Sequence, residues 1–390
     1  MTVSDAPMLV SADSHVIEPP DLWTARLEST WTDRAPRVIR GDDGNDWWWV
    51  DGFRTNSFAG GTQTGRRFAE PGTLVLADQF ENVPIEVQNP GAYVAANLTD
   101  GVIASVLYPT QHLVHYKVRN SELLTDCCRA YNDWLAEFCN AVPGRLRGIG
   151  ALNVDDVASA VAELGRVAAL GLAGVLVPVS LPRGDTYADP RFEPLWTAAA
   201  ANRMPVCLHI GTDRADWRRT GAPVVPGTKS GSGGPVLSGF TVADHFVRRT
   251  LADLIYGGVF ERHPDLRVGS IEHEAGWAPY FVDRLDYTYT ERATKGHRFA
   301  EGRKPSDFFR AQVFVTLSED AIAVRERALL GESTLMWASD FPHSESTYPR
   351  SRELSARLTE GTSDAERRAI TAESAAALFG VDLSARDISR

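Results

Sequence analysis

The feature of this sequence that most constrains its fold is a series of eight short apolar runs, most of them separated by helical patterns. The runs are continuous rather than alternating, as expected for parallel strands that are covered on both faces. Eight such strands predict an α/β fold of the (β/α)8 TIM-barrel type, with functional side chains at the carboxyl ends of the strands. A doubly wound open sheet is the alternative, but its GxGxxG turn does not follow the first run. The runs cover residues 6–16, 101–110, 145–154, 172–180, 204–212, 265–274, 311–320 and 334–343.

Two stretches interrupt the repeat, and both lie where a barrel would carry functional loops. The chain of 390 residues is interpreted as one barrel domain with an insertion or subdomain at about 24–100 and a mobile, Gly-rich loop at about 213–239. The insertion contains three consecutive tryptophans, Trp47–Trp49. They are interpreted either as a small core that covers the barrel or as an aromatic wall of a substrate pocket, formed by Trp48.

Composition and charge narrow the class of partner to a small-molecule substrate. A formal net charge of −11 argues against nucleic acid, because binding to phosphates requires concentrated positive charge. No run approaches the ~20 apolar residues of a membrane span. The N-terminus lacks the basic and apolar segments of a secretory signal, and the four cysteines show no CxxC spacing, so we expect a cytoplasmic protein with reduced cysteines.

Metal-competent side chains stand at the ends of several predicted strands. Asp13 and His15 end the first run, and a spacing of two places both on the same face of a strand. His209, His273 and Asp340 end the fifth, sixth and eighth runs. In a closed barrel these ends meet at one mouth, and imidazole with carboxylate suits Zn²⁺, Mn²⁺ or Fe²⁺. The sequence therefore predicts a metal site there.

The stretches DSHVIEPPDLW, PVCLHIGT, HPDLRVGSIEHEAGWAPYFVDRLD and WASDFPH resemble the amidohydrolase-related family of the amidohydrolase superfamily. Aminocarboxymuconate-semialdehyde decarboxylase and γ-resorcylate decarboxylase belong to that family. The resemblance runs from the first strand to the closing ITAESAAALFG and excludes the long insertion. It implies a distorted (β/α)8 barrel that binds a divalent metal, with zinc expected first and iron or manganese as alternatives. Family members are commonly homodimers or homotetramers.

The same resemblance assigns roles to individual residues. It implies that Asp13, His15, His209 and Asp340 bind the metal and that Glu18 supports a neighbour through hydrogen bonds. His273 would be an acid/base group or a ligand of a second metal, which Glu272 or Glu274 beside it could support.

Two departures from the family pattern bear on these roles. The first strand offers Asp-x-His in place of His-x-His or Glu-x-His, which weakens the decarboxylase assignment. The fourth strand offers no bridging Lys or carboxylate, which favours one ion over two.

The ligand set leads to two enzymatic hypotheses and one that is not enzymatic. The first is a metal-dependent hydrolase, in which Asp340 as general base and a metal-activated water cleave an ester, thioester, lactone or amide carbonyl while His273 assists. The alternative is a non-oxidative decarboxylase or hydratase of an aromatic or unsaturated acid, with Asp340 or His273 supplying a proton to carbon. A barrel that only binds or assembles is the third.

Candidate substrate contacts lie just beyond the strand ends. They are His112, after the second strand, His343, after the eighth, and Arg214, beside Arg218 and Arg219. Arg214 would bind a substrate carboxylate or phosphate. A structural role, or for the arginines a solvated loop, is the alternative interpretation.

Overall fold

The computed structural model describes residues 8–216, 239, 241–292, 298–331 and 333–384. Eight parallel strands form the main sheet in the order of the chain, and each lies within one of the eight predicted runs. The prediction of a TIM barrel is therefore confirmed. The barrel strands are β1 (Leu9–His15), β5 (Val102–Tyr108), β6 (Leu146–Ala151), β7 (Gly174–Val177), β8 (Val206–His209), β9 (Val268–Ile271), β10 (Val313–Leu317) and β11 (Leu335–Trp337). Strands β2 (Arg37–Arg40), β3 (Asp46–Val50) and β4 (Phe53–Ser57) lie in the insertion.

Helices follow most of the barrel strands, and polar residues fix where several of them begin. The side chain of Asn120 accepts a hydrogen bond from the backbone of Leu123, and Asp156 accepts one from Ser159. The longer helices are Pro90–Asp100, Ser121–Asn140, Val157–Ala169, Glu193–Ala201, Asp244–Tyr256, Ala278–Glu291, Pro305–Gln312 and Ser351–Leu358. The shorter ones are Ala59–Thr62, Arg66–Ala69, Ile85–Gln88, His112–His115, Val259–Arg262, Ala321–Arg325, Asp364–Arg368 and Ser374–Phe379. Within the described ranges, no helix is both long enough and apolar enough to span a lipid bilayer.

The insertion after β1 folds into a small antiparallel sheet of three strands, in the order β2-β3-β4. Trp48 in its central strand is buried, and its ring lies 5.3 Å from that of Trp23 and 5.5 Å from that of Phe58. Aromatic pairs at these separations stabilise a packed core. Trp48 thus belongs to the small core that was one interpretation of the tryptophan run.

Buried serines join the first and last barrel strands. The Ser11 hydroxyl donates to the carbonyl of Asp13 at 2.7 Å and accepts from the backbone N–H of Ser339 at 2.8 Å. Beyond the strand ends, the backbone N–H of Asp340 donates to the carbonyl of Asp13 at 3.0 Å. The ends of β1 and β11 are therefore held at a fixed separation, which matters because both carry candidate metal ligands.

We expect Ser11→Ala to lower the free energy of unfolding by about 1–3 kcal/mol, because the buried N–H of Ser339 loses its acceptor. Ser384→Ala is the matched control, since Ser384 is exposed and, among the described residues, hydrogen-bonds within its own turn to Asp382. Its effect should stay within about 0.5 kcal/mol. Urea unfolding measures both. Equal stabilities of the two variants would show that the serine network does not close the barrel.

Candidate metal centre

Side chains from the ends of four strands converge at the mouth of the barrel. Ligand atoms of Asp13, His15, His209 and Glu272 lie within 4.8 Å of one another. Those of His15, Glu272, Asp340 and His343 form an overlapping group of the same size. The structure thus brings together all four residues that the family resemblance assigns to the metal, and it adds Glu272.

The spacing of these atoms fits a single cation. The Nε2 atom of His15 lies 3.6 Å from Oδ1 of Asp13 and 3.3 Å from Oδ1 of Asp340. The Nε2 atom of His209 lies 3.8 Å from the same oxygen of Asp13. Ligands bonded to one ion at about 2.0–2.2 Å are separated by such distances. Within the described residues, the atoms of Asp13, His15 and His209 are buried without a hydrogen-bond partner, and a cation among them would satisfy all three at once.

Both histidines are oriented as metal ligands. The Nδ1 atom of His15 lies 2.9 Å from the carbonyl of Pro109, and that of His209 lies 2.9 Å from the carbonyl of Ile210. A carbonyl only accepts, so each Nδ1 carries the proton. Each Nε2 therefore presents a lone pair to the cluster, the arrangement that ligating histidines commonly adopt.

The electrostatics of the cluster suit a bound divalent cation. Burial raises the pKa of Asp13 well above its ordinary value, and the carboxylates of Glu272 and Asp340 raise it further. Burial also lowers the pKa of His15 to about 3, so this imidazole is neutral at pH 7. A divalent cation favours the same states that ligation requires, namely ionised carboxylates and neutral imidazoles.

Glu272 is the functional residue that the sequence analysis missed as a member of the main site. Its Oε2 atom lies 3.0 Å from Nε2 of His209 and 3.2 Å from Nε2 of His15. The residue follows β9 directly, in a left-handed backbone conformation with φ of 59°. Regular strand alternation would direct its side chain away from that of His273, and only the positive φ brings it to the cluster.

Asp340 and His343 form a polar chain at the edge of the cluster. The Nδ1 atom of His343 lies 3.1 Å from Oδ1 of Asp340, and its Nε2 atom lies 2.9 Å from the hydroxyl of Thr110. Burial raises the pKa of Asp340 to about 6, although the nearby His343 opposes this shift. Burial alone would lower the pKa of His343, but the Asp340 carboxylate outweighs it and raises that pKa to about 9. A proton can therefore be held between these two side chains near neutral pH.

His273 and Glu274, the candidate ligands of a second metal, hydrogen-bond to residues outside the cluster. The Nδ1 atom of His273 lies 3.2 Å from the Ser270 hydroxyl, and burial lowers the pKa of this imidazole to about 3. Glu274 accepts a hydrogen bond from the backbone of Ser318 at 3.1 Å, and burial raises its pKa to about 7. Neither residue belongs to the metal-competent groups found among the described residues, so their geometry favours one ion.

Two of the candidate substrate contacts are buried elsewhere and differ from the prediction. His112 is fully buried; its Nδ1 lies 3.0 Å from that of His115 and its Nε2 lies 3.3 Å from the sulfur of Cys128. Arg214 is buried too, and its guanidinium makes two hydrogen bonds to Asp155 at 3.0 and 2.6 Å. Their polar atoms have partners inside the protein, and neither residue belongs to the cluster.

The structure also gives the positions of Trp48 and Glu18. Trp48 lies buried in the core of the insertion. Arg218, Arg219 and most of the loop predicted at about 213–239 lie outside the described residues. Glu18 hydrogen-bonds neighbours, as the resemblance implied: its buried carboxylate accepts from three successive backbone N–H groups, those of Thr110, Gln111 and His112.

A cavity of about 230 Å³ opens beside the cluster. Its wall includes Arg67 from the insertion, whose guanidinium donates to Glu319 at 2.6 Å and to the carbonyl of Ser346 at 2.9 Å. Sequence reasoning missed Arg67, since only the fold brings residue 67 next to residues 319 and 346. The carboxylates that line the cavity are Asp13, Glu272, Glu274, Glu319, Asp340 and Glu345. A cavity this small suits a compact substrate.

Comparison with known proteins identifies the family. Residues 95–381, more than half of the chain, match the family described as Amidohydrolase. The chain belongs to this family. It is 29% identical over 279 residues to a γ-resorcylate decarboxylase of Rhodococcus jostii, an alignment that covers 67% of this chain and 78% of the relative.

Solved structures of the same superfamily share the fold. An amidohydrolase from Mycobacterium avium subsp. paratuberculosis superposes with a TM-score of 0.76 at 22% identity, covering 96% of this chain and 99% of that one. A dihydroxybenzoic acid decarboxylase from Polaromonas, with bound manganese and the inhibitor 2-nitroresorcinol, gives 0.62 at 17% identity and covers 96% and 97%. The predicted resemblance to the family is confirmed.

Protein purified without chelator is expected to contain about one equivalent of divalent metal per chain, because the cluster offers one complete ligand set. His209→Ala should retain about a tenth of that metal or less, since it removes a ligand with a fixed lone pair. Metal analysis by mass spectrometry measures both.

The matched control is His245→Ala, because His245 is exposed and lies outside the cluster. It should retain the wild-type metal content. Full retention by His209→Ala, with normal thermal unfolding, would exclude His209 as a ligand.

Proposed function

We propose that this protein is a metal-dependent, non-oxidative decarboxylase of a small aromatic carboxylic acid that carries a hydroxyl group ortho to the carboxylate. The observation that carries the proposal is the set of unpartnered ligand atoms beneath a small cavity, with Asp340 at its wall. The Rhodococcus relative is named a decarboxylase, and this favours the decarboxylase alternative over the hydrolase that the sequence analysis placed first.

Manganese is the metal that we propose for the site. Three carboxylates and two imidazoles form the ligand set, and carboxylate oxygens suit Mn²⁺ better than they suit the softer Zn²⁺. The Polaromonas structure contains manganese, which agrees with this choice. When bound, the ion supplies the positive charge that holds the substrate's carboxylate and phenolic oxygens in place.

Asp340 is proposed as the proton donor. Asp340 can receive this proton from the His343 imidazolium, whose pKa its carboxylate raises to about 9. It transfers that proton to the ring carbon that bears the carboxylate. The bond from this carbon to the carboxylate then breaks, its electron pair restores the aromatic ring, and neutral CO₂ leaves. The His343 imidazolium, 3.1 Å away, returns a proton to Asp340, and Thr110 supports its far nitrogen.

The other polar groups of the site are proposed to bind and orient the substrate. His273, with its pKa lowered to about 3 by burial, is neutral and therefore suits hydrogen bonding to substrate rather than proton donation. Arg67 brings positive charge to an otherwise acidic wall and is proposed to attract the anionic substrate. The cavity of about 230 Å³ limits the substrate to roughly one substituted ring.

The manganese-loaded protein is expected to release CO₂ from at least one acid among 2,6-dihydroxybenzoate, salicylate and 5-carboxyvanillate, because these carry the ortho hydroxyl group. Product formation by chromatography and CO₂ release measure this. Asp340→Asn should lower the rate by about 10²–10⁴-fold, the usual contribution of an acid/base group. Its metal content is measured in parallel, since Asp340 is also a candidate ligand.

Asp364→Asn is the control for a lost carboxylate, because Asp364 is exposed on a distant surface helix. It should keep the wild-type rate. If all the acids stay intact while esters or thioesters are hydrolysed in a metal-dependent manner, the decarboxylase proposal fails and the hydrolase interpretation replaces it.

A further inference from the structure

Glu272 differs from the other members of the cluster in how its side chain reaches the metal position. The side chains of Asp13, His15, His209 and Asp340 are at most 8% exposed, whereas that of Glu272 is 30% exposed. Its Oε2 atom is nevertheless buried between the two imidazoles and has no hydrogen-bond partner among the described residues. Glu272 therefore approaches the metal position from the cavity, on the side from which a substrate would enter.

The backbone at Glu272 is held in a conformation that glutamate rarely adopts. Both Glu272 and Glu274 have positive φ, at 59° and 51°, on either side of His273. Such residues are strained, and strain of this kind clusters where function requires it. Two contacts fix the turn to β10: the Glu272 N–H donates to the Thr316 hydroxyl at 3.0 Å, and the Ser318 N–H donates to Glu274 at 3.1 Å. The turn is thus built to direct the Glu272 carboxylate at the two imidazoles.

We propose that Glu272 is a fifth protein ligand, which covers the cavity side of the metal and is displaced when a chelating substrate binds. Five protein ligands leave one position on an ion that accepts six, whereas an ortho-hydroxy acid brings two oxygens. One protein ligand must leave, and Glu272 is the most exposed of the five. His15 and His209 are fixed by Pro109 and Ile210, and Asp340 is fixed by His343. Ligation by Glu272 needs only the metal site, while its displacement rests on the proposed function.

A displaceable ligand makes the site selective for one class of substrate. Two adjacent oxygens, as in a hydroxy acid, compensate for the loss of one carboxylate ligand. A single carbonyl oxygen, or a carboxylate bound through one oxygen, does not, because it occupies the one free position and leaves Glu272 in place. The site is then specific for bidentate oxygen ligands, and the displaced carboxylate remains in the cavity beside the substrate.

The test compares wild type, Glu272→Gln and Glu272→Ala after loading with Co²⁺, whose visible absorption reports the number and type of ligands. Both variants are expected to bind Co²⁺ at least about tenfold more weakly in competition with a chelator, and with an altered spectrum. The chelating inhibitor 2-nitroresorcinol should bind Glu272→Ala about tenfold more tightly than wild type, because no ligand has to be displaced. Circular dichroism and thermal unfolding establish that each variant is folded.

Glu345→Gln is the matched control, because Glu345 contributes a carboxylate to the same cavity but belongs to neither metal-competent group. Its Co²⁺ affinity and spectrum should match wild type, since loss of one cavity charge does not change the ligand set. Unchanged affinity and spectrum in both Glu272 variants would overturn ligation. Weaker metal binding without tighter inhibitor binding would overturn displacement. None of these measurements requires catalytic turnover. They therefore test the role of Glu272 even if the protein releases CO₂ from none of the acids.

Discussion

Mutual repulsion among three carboxylates at the barrel mouth is the constraint on which the rest of this structure depends. Asp13, Glu272 and Asp340 direct oxygens at the same small volume, where little solvent reaches to screen them. Burying like charges together costs several kcal/mol unless a counter-charge is present. A divalent cation supplies that charge, and the two imidazole lone pairs complete its ligand set. The cluster is therefore best understood as the protein part of a metal centre.

The surrounding fold holds these groups in a geometry that they would not adopt unaided. Ser11 and Ser339 fix the ends of the first and last strands, and the Tyr93 hydroxyl donates to the carbonyls of both His15 and Phe341 at 3.1 Å. Asp340, like Glu272, has a positive φ, at 56°. Strain of this kind persists only where the neighbouring structure enforces it. Packing and hydrogen bonds elsewhere thus offset the cost of positioning the ligands.

The barrel and four of the five clustered ligands could be predicted from the sequence because both depend on local signals. Eight apolar runs mark eight buried strands, and a His or Asp at the end of such a run must lie at the mouth. Glu272 could not be found this way, because the direction of its side chain depends on a positive φ that the neighbouring sequence does not indicate. Which interpretation holds for His112, Arg214 and Trp48 could not be predicted, because their partners, Cys128, Asp155 and Trp23, are distant in sequence. From sequence alone, a polar or aromatic residue whose partners lie inside the protein cannot be distinguished from one that binds a ligand.

The measurement that tests the account most directly is anomalous X-ray diffraction from crystals grown with Mn²⁺. One strong peak per chain is expected, within about 2.0–2.3 Å of atoms from Asp13, His15, His209, Glu272 and Asp340. Absence of that peak in crystals with millimolar Mn²⁺, or a peak bound only by other residues, would contradict the claim that these side chains form a metal centre.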